Sequence, residues 1–366
     1  MGEIQAFTEE HADGMARLYL RSIRGQTRDP GEALPRYFRD LFLGNPWASP
    51  EMPALVYIDN GKIVGGLGVL PRQMEFRRRP VILATLSPFM VDPEYKGEAV
   101  GPRLLERAFQ GPQEASWTDG ASGSVKAGWT ALGGHTADLY AFNWIRVLRP
   151  FGTARMGIDR IGRAGRWLKP LSSPTVPLDL LLSKLPVTPL KAPLSPYQSK
   201  LVSADELLEC IRAIGWKETL KPSYSAPSFQ WLMQEAAKFA HGELRMLTVT
   251  SGEGVRSGWL VYYAVRGGAA YVLQIGVRRR YDFPNTLLAL FQDAWQQGAV
   301  CVKGAAMPQY LTAFTEQQCF FRHPHDRVLI HSRDPEIAAS LRLGEASVTR
   351  LEGAGWFRFS RENWER

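Results

Sequence analysis

Residues 91–105 read VDPEYKGEAVGPRLL, and their spacing suits the binding of a diphosphate. Small residues at Gly97, Ala99 and Gly101 let the backbone approach an anion. The free N–H groups and positive dipole end of a helix starting there favour negative charge. Pro102 lacks an N–H but fits a helix's first turn. The preceding run 81–91, VILATLSPFMV, is apolar and β-branched enough for a central strand, so the turn stands where strand-then-helix binding loops belong. Other reactive residue types are scattered. Cys210, Cys301 and Cys319 are odd in number and widely spaced, which argues against a disulfide framework and for a reducing compartment. Cys301, in an apolar run, reads as a small core residue. His323 and His325 flank Pro324 with no cysteine or carboxylate cluster nearby, and no metal is expected.

The 91–105 segment resembles the acyl-CoA pyrophosphate loop of the GNAT superfamily of N-acyltransferases, whose pattern is Arg or Gln, two variable residues, Gly, one residue, then Gly or Ala. Lys96 stands at the Arg/Gln position, Ala99 at the first Gly and Gly101 at the second. VDP before the loop and Leu104-Leu105 after it match the usual flanks. The resemblance implies an acyl-CoA co-substrate, acetyl-CoA or another, held by Lys96, Gly97, Glu98, Ala99, Val100 and Gly101. It further implies a backbone amide near Met90 or Val91 as hydrogen-bond donor to the thioester carbonyl. Ser122 occupies the place where many relatives carry an asparagine that touches the CoA arm.

The same resemblance locates the chemistry where the cofactor strand and the next strand part. An attacking amine must be deprotonated, and Asp119 is the first candidate for that base or for an acceptor anchor; a turn-forming Asx role in Asp119-Gly120 is the alternative. Relatives commonly protonate the leaving thiolate with a tyrosine on the following short helix. Trp129 stands there, and an indole supplies no useful acid. Tyr140 and Ser87 are the hydroxyl candidates in its stead, alongside water, and Tyr140 has the alternative role of a strand aromatic in the core.

The elements that must position these groups follow one order twice. Helical patterns at 9–22 and 34–43 precede strands at 53–59, 63–70, 73–77 and 81–91, a helix ending near Phe109, a strand at 115–120, a helix at 124–132 closed by Gly133-Gly134, and a strand at 139–147. The second half gives helices at 204–214 and 229–239, strands at 244–250, 258–265 and 269–277, a helix at 285–297, a strand at 299–303 and a helix at 309–314. At its decisive turn it reads GVRRRYDFP, without small residues. This order resembles that of the GNAT superfamily in both halves, and the resemblance implies the fold class α/β (α+β), two GNAT-like domains, each a mixed central sheet flanked by helices. The expected division is residues 1–152 as an N-terminal GNAT acyltransferase domain, 153–200 as a basic, Pro/Leu-rich connector, and 201–366 as a C-terminal GNAT-like copy lacking a clear CoA loop.

With 366 residues, 45% hydrophobic and 22% charged, the composition is that of a globular protein of two domains. No uncharged run approaches the roughly 20 residues of a membrane helix, the polar start is no signal peptide, and a cytoplasmic location is expected. The net charge of +8 is concentrated in residues 151–200, with 8 Lys+Arg against 2 Asp+Glu. A basic arm there would attract a headgroup layer or an acidic acyl carrier protein. The glycines at 157, 162 and 165 favour the other reading, in which Trp167 and Leu168 pack across the domains and the arginines are solvated. Nothing interleaves basic and aromatic residues as a nucleic-acid platform would. The expected function is acyl-CoA-dependent acyl transfer to a small-molecule amine. A catalytically degenerate CoA-binding or scaffold protein, and an aminoacyl-tRNA-dependent transferase of the related two-GNAT type, are the alternatives.

Overall fold

A computed structural model describes residues 2–160, 179, 191–238, 242–322 and 327–357. Along the first half run β1 (Glu3–Ala6), α1 (Ala12–Tyr19), α2 (Ala33–Phe42), β2 (Leu55–Asp59), β3 (Lys62–Phe76), β4 (Arg79–Val91), α3 (Val100–Phe109), β5 (Ala115–Ala121), α4 (Gly123–Ala131), β6 (His135–Thr136), α5 (Asp138–Ala141), β7 (Asn143–Val147) and α6 (Pro150–Arg160). The second half adds β8 (Gln198–Leu201), α7 (Ala204–Ile214), β9 (Leu220–Pro222), α8 (Ala226–Ala237), β10 (Glu243–Thr250), β11 (Arg256–Ala264), β12 (Ala269–Val277) and α9 (Phe283–Gln296). It closes with β13 (Cys301–Ala305), α10 (Leu311–Glu316), β14 (Phe320–Arg322), β15 (Arg327–Ser332) and α11 (Pro335–Leu343). Most of the basic connector, including Trp167 and Leu168, lies outside the described residues, as do His323 and His325.

Two mixed sheets result. The first has the order β1-β2-β3-β4-β5-β15-β6, with β9 also pairing β3; the second has the order β14-β7-β13-β12-β11-β10-β8. Strands therefore cross between the halves: β9 and β15 enter the first sheet, and β7 enters the second. β15 lies between β5 and β6, with Ile330 opposite both Trp117 and His135, while β7 lies between β13 and β14, with Ile145 opposite both Lys303 and Phe320. The segment 139–147, expected as one strand, divides into the single turn α5 and β7. The segments 63–70 and 73–77 instead fuse into the long β3, which pairs with β4 through a two-residue turn at Arg77-Arg78.

Local sequence explains how helices come so near the first sheet. In the IVGGLGV stretch of β3, a Cβ on Gly65 would lie 2.5 Å from Val100 of α3, and one on Gly66 would lie 2.5 Å from the Met15 sulfur of α1. Adjacent glycines thus admit one helix to each face. α3 answers with Val100, Leu104, Leu105 and Ala108 on its buried side.

A continuous apolar core joins the halves, running from Tyr19, Phe38 and Leu70 to Phe229, Trp259 and Trp356. Inside it Arg72 of β3 is only 2% exposed and stacks over Trp47, 4.2 Å from the ring centre. Burial pushes its guanidinium down to about 10, opposed by Glu352 and Tyr224. Glu352, equally buried, accepts from Gln274 at 3.0 Å, from the Thr349 N–H at 2.9 Å and from the Tyr224 hydroxyl. Burial raises its carboxyl, against the pull of those hydrogen bonds and of Arg72. The Arg72 guanidinium nitrogens have no hydrogen-bond partner among the described residues, and what compensates the buried cation is the faces of Trp47 and Trp356 and the attraction of Glu352.

Candidate functional site

β4 and β5 run parallel and pair over only three residues each, Leu83 to Thr85 against Ala115 to Trp117. Beyond Thr85 β4 continues to Val91 bonded to β3 alone, and the two strands part. The gap is a cavity of about 330 Å³. Leu86, Ser87, Pro88 and Phe89 of β4 line one side; Thr118, Gly120, Ala121 and Ser122 line the other. Tyr19 and Ile23 enter from the end of α1, Leu105 from α3, and Val125 and Trp129 from α4. No charged side chain is among these lining residues. Such a slot accepts an uncharged, extended chain with a few polar atoms.

The parted strand leads into the turn. Asp92 is 2% exposed and pairs with Arg21 at 2.8 Å and Lys62 at 3.1 Å. It also accepts the Glu94 N–H, which caps the short turn 93–95. Burial works to raise its carboxyl, but Lys62, the Glu94 amide and Arg21 together hold it below the ordinary aspartate value. After this anchor the chain takes left-handed conformations at Gly97 (φ 100°) and Ala99 (φ 58°), then enters α3. Among the described residues, the N–H groups of Gly97, Ala99, Val100 and Gly101 have no protein acceptor. Four open amides at a helix start are the donor set that a diphosphate requires. Gly101 has a further role: a Cβ there would stand 3.0 Å from the Phe89 ring, so its smallness seats α3 on β4.

The expected proton-transfer residues fall in different places. Ser87 lines the cleft, and so do Ser122 and Trp129, whose indole packs edge-on against Phe109. Asp119 does not. It is 5% exposed, pairs with Arg350 at 3.0 Å and accepts the Ala354 N–H at 3.1 Å, while its neighbours Thr118 and Gly120 line the cleft. Strand alternation directs adjacent side chains to opposite faces, and Asp119 is used to fasten the 350–354 segment. Tyr140 lies on α5, buried, with its hydroxyl donating to the Ala346 carbonyl at 2.7 Å and accepting the Ala346 N–H at 2.9 Å. Burial pushes its phenol up. Met90 is in the core and Val91 half-buried at the cleft's end of β4. Two polar lining residues were not anticipated, Tyr19 and Thr118. Tyr19 reads as a core aromatic from its helical periodicity, and burial raises its phenol against the opposing Arg24.

The second sheet opens in the same manner. β12 and β13 pair over Ala269 to Tyr271 against Cys301 to Lys303, then part around a cavity of about 320 Å³. The turn after β12 differs: Asp282 accepts the Arg279 N–H at 3.1 Å and the Tyr197 hydroxyl at 2.9 Å.

No family model matches this sequence, and no curated protein sequence matches it either. Solved structures do match in shape. A conserved protein of unknown function from Enterococcus faecalis V583 superposes with a TM-score of 0.58 at 11% identity, covering 91% of this chain and 73% of that one. A GCN5-related N-acetyltransferase from Anabaena variabilis gives 0.56 at 12% identity over 92% and 74%. The Saccharomyces cerevisiae N-myristoyltransferase, solved with bound myristoyl-CoA, gives 0.52 at 11% identity over 90% and 77%. The chain, with a parted parallel strand pair in each of its two sheets, shares its fold with these N-acetyltransferase and N-myristoyltransferase structures.

Proposed function

We propose that this chain is an acyl-CoA-dependent N-acyltransferase whose donor site belongs to the first sheet. The observation that carries the reading is a pairing of two features on the same elements: a cleft lined by Phe89 of β4 and Leu105 of α3 with no charged residue among its described lining, and four open backbone amides at the turn that joins β4 to α3. The diphosphate lies on residues 96–101 beside Lys96, and the pantetheine arm and thioester lie in the cleft near Ser122. Residues 1–152 carry these groups, and the described residues after 201 complete the fold around them.

The Asp92 N–H bonds to Val64 of β3, so strand alternation turns the Met90 N–H to β3 as well and leaves the Val91 N–H to donate to the thioester carbonyl and stabilise the oxyanion as it forms. The amine nitrogen attacks that carbon, the C–N bond forms and the C–S bond breaks. The thiolate takes up one proton and the new amide gives one up. No carboxylate is among the described lining residues, so water, or a hydroxyl of Ser87, Thr118 or Tyr19, carries the proton. The tyrosine expected on α4 is replaced by Trp129. That replacement favours one second reading, a CoA-binding protein without transfer.

Calorimetry with CoA and mass spectrometry of an amine panel mixed with acetyl-CoA or myristoyl-CoA separate these readings. One CoA bound per chain together with an acylated amine supports the enzyme. Binding without product over the whole panel supports the second reading, and absence of CoA binding defeats both.

A further inference from the structure

We infer that the opening in the second sheet is a separate binding site for a small molecule carrying an anionic head group, carboxylate or phosphate, on an apolar body. Its cavity of about 320 Å³ lies beyond the last β12–β13 pair, Tyr271 with Lys303. Three cationic side chains from three elements converge on it: Lys303 of β13, Arg322 of β14, and Arg350 of the segment after α11. Apolar surface comes from Ile145, Val272 and Leu273. No acidic residue is among its described lining residues.

Cations gathered around one cavity repel one another, and a mixed apolar wall weakens the screening that water would give. Arg350 is already held in place. Its guanidinium donates to Asp119 at 3.0 Å and to Asn143 at 2.9 Å, so one face of a planar fork is fixed toward the protein. Arg322 has no side-chain hydrogen bond or ion pair among the described residues. Asp119 offsets Arg350 and leaves Arg322 for an incoming anion, which a guanidinium binds through paired N–H donors.

A second CoA does not suit this opening. At the turn after β12 the Asp282 carboxylate occupies the Arg279 amide, where a diphosphate would need open N–H groups. The ligand is therefore smaller than the donor. The inference is independent of the donor assignment, because it uses no residue of the first cleft.

The full chain, saturated with CoA or without it, is titrated calorimetrically with octanoate, octyl phosphate and octanol. The expected result is one octanoate or octyl phosphate per chain, bound at least tenfold tighter than octanol, with the tighter of the two anions naming the head group. Arg322→Gln and, separately, Lys303→Gln should each weaken that binding at least fivefold while CoA affinity stays within twofold. Arg322 sits on an exposed edge strand, and a melting temperature close to wild type certifies the fold of that variant. Octanol binding as tightly as the anions, anion binding that survives both substitutions, or no anion binding at all overturns the inference.

Discussion

The two sheet openings share a topology and differ in chemistry. Each arises because a parallel pair of strands bonds for three residues and then separates. The first opening has no charged side chain among its described lining residues, and the turn that follows its strand β4 has open amides. The second is lined by Lys303, Arg322 and Arg350, and its turn is filled by Asp282. The strand geometry supplies the slot in both cases, while the turn and the lining side chains decide what enters. A fold-level likeness therefore speaks for the slot and leaves its occupant to the residues.

The comparison depends on each half lending a strand to the other, and breaking that exchange should have the largest effect. A chain ending at Pro150 retains β7 with neither β13 nor β14 to pair with, and lacks β15 between β5 and β6. It should fail to give a cooperative melt and should aggregate through the open edges. A soluble fragment that binds CoA as the full chain does would show that the first opening stands alone.

Next in size is Gly101→Val, which tests what distinguishes the two turns. The added side chain meets Phe89 and pushes α3 off β4, moving the open amides; CoA affinity should fall at least tenfold, about 1.4 kcal/mol. Adding Phe89→Leu should recover most of it if the glycine serves helix–strand packing. Lys96→Ala should weaken binding less, and its effect should shrink with added salt. A Gly101→Val protein that binds CoA normally would remove the turn from the donor site.

The first turn was legible in sequence because it is local: an apolar run, small residues and a helix start lie within 25 residues. β4, α3 and α4 fall close to their expected bounds. The strand exchange was not legible. The pattern of 139–147 reads as a strand and no element is expected at 327–332; in both cases the partner sheet is chosen by packing with residues more than a hundred positions away. Asp119 was misleading for a related reason. β5 is buried on both faces, so alternation could not tell which side chains point into the cleft. Tyr140 sits on a four-residue helix, too short to show a period.

A smaller effect sharpens the same contrast. Ala99 is held at φ 58°, ψ 16°, a left-handed conformation that costs an alanine about 1 kcal/mol more than a glycine. Ala99→Gly should stabilise the chain by up to that amount, less the entropy that glycine adds to the unfolded state, and should hold or tighten CoA binding. Thermal melts with and without CoA read both quantities. Destabilisation together with weaker binding would mean that the methyl group is a contact and not a departure from the loop's pattern.

The smallest expected effect concerns the borrowed strand β15. His331 stacks on Phe109 of α3 with ring centres 3.9 Å apart, and burial, with help from Arg333 and His135, lowers its pKa below the ordinary histidine value. The folded state therefore prefers the neutral ring. Its contribution is complete above the ordinary histidine pKa and is lost as the pH falls through the lowered one. His331→Phe keeps a stacked ring without a titrating group, so the fall in melting temperature between pH 8 and pH 5 should be smaller in the variant by about 1–3 °C. β7, the strand lent in the other direction, carries no histidine, so the acid-dependent loss of amide protection that the variant removes should centre on β5 and β15 and spare β7 and β13. Equal pH dependence in wild type and variant would show that the stack stays neutral without cost, and the two exchanged strands would then differ in position but not in their response to acid.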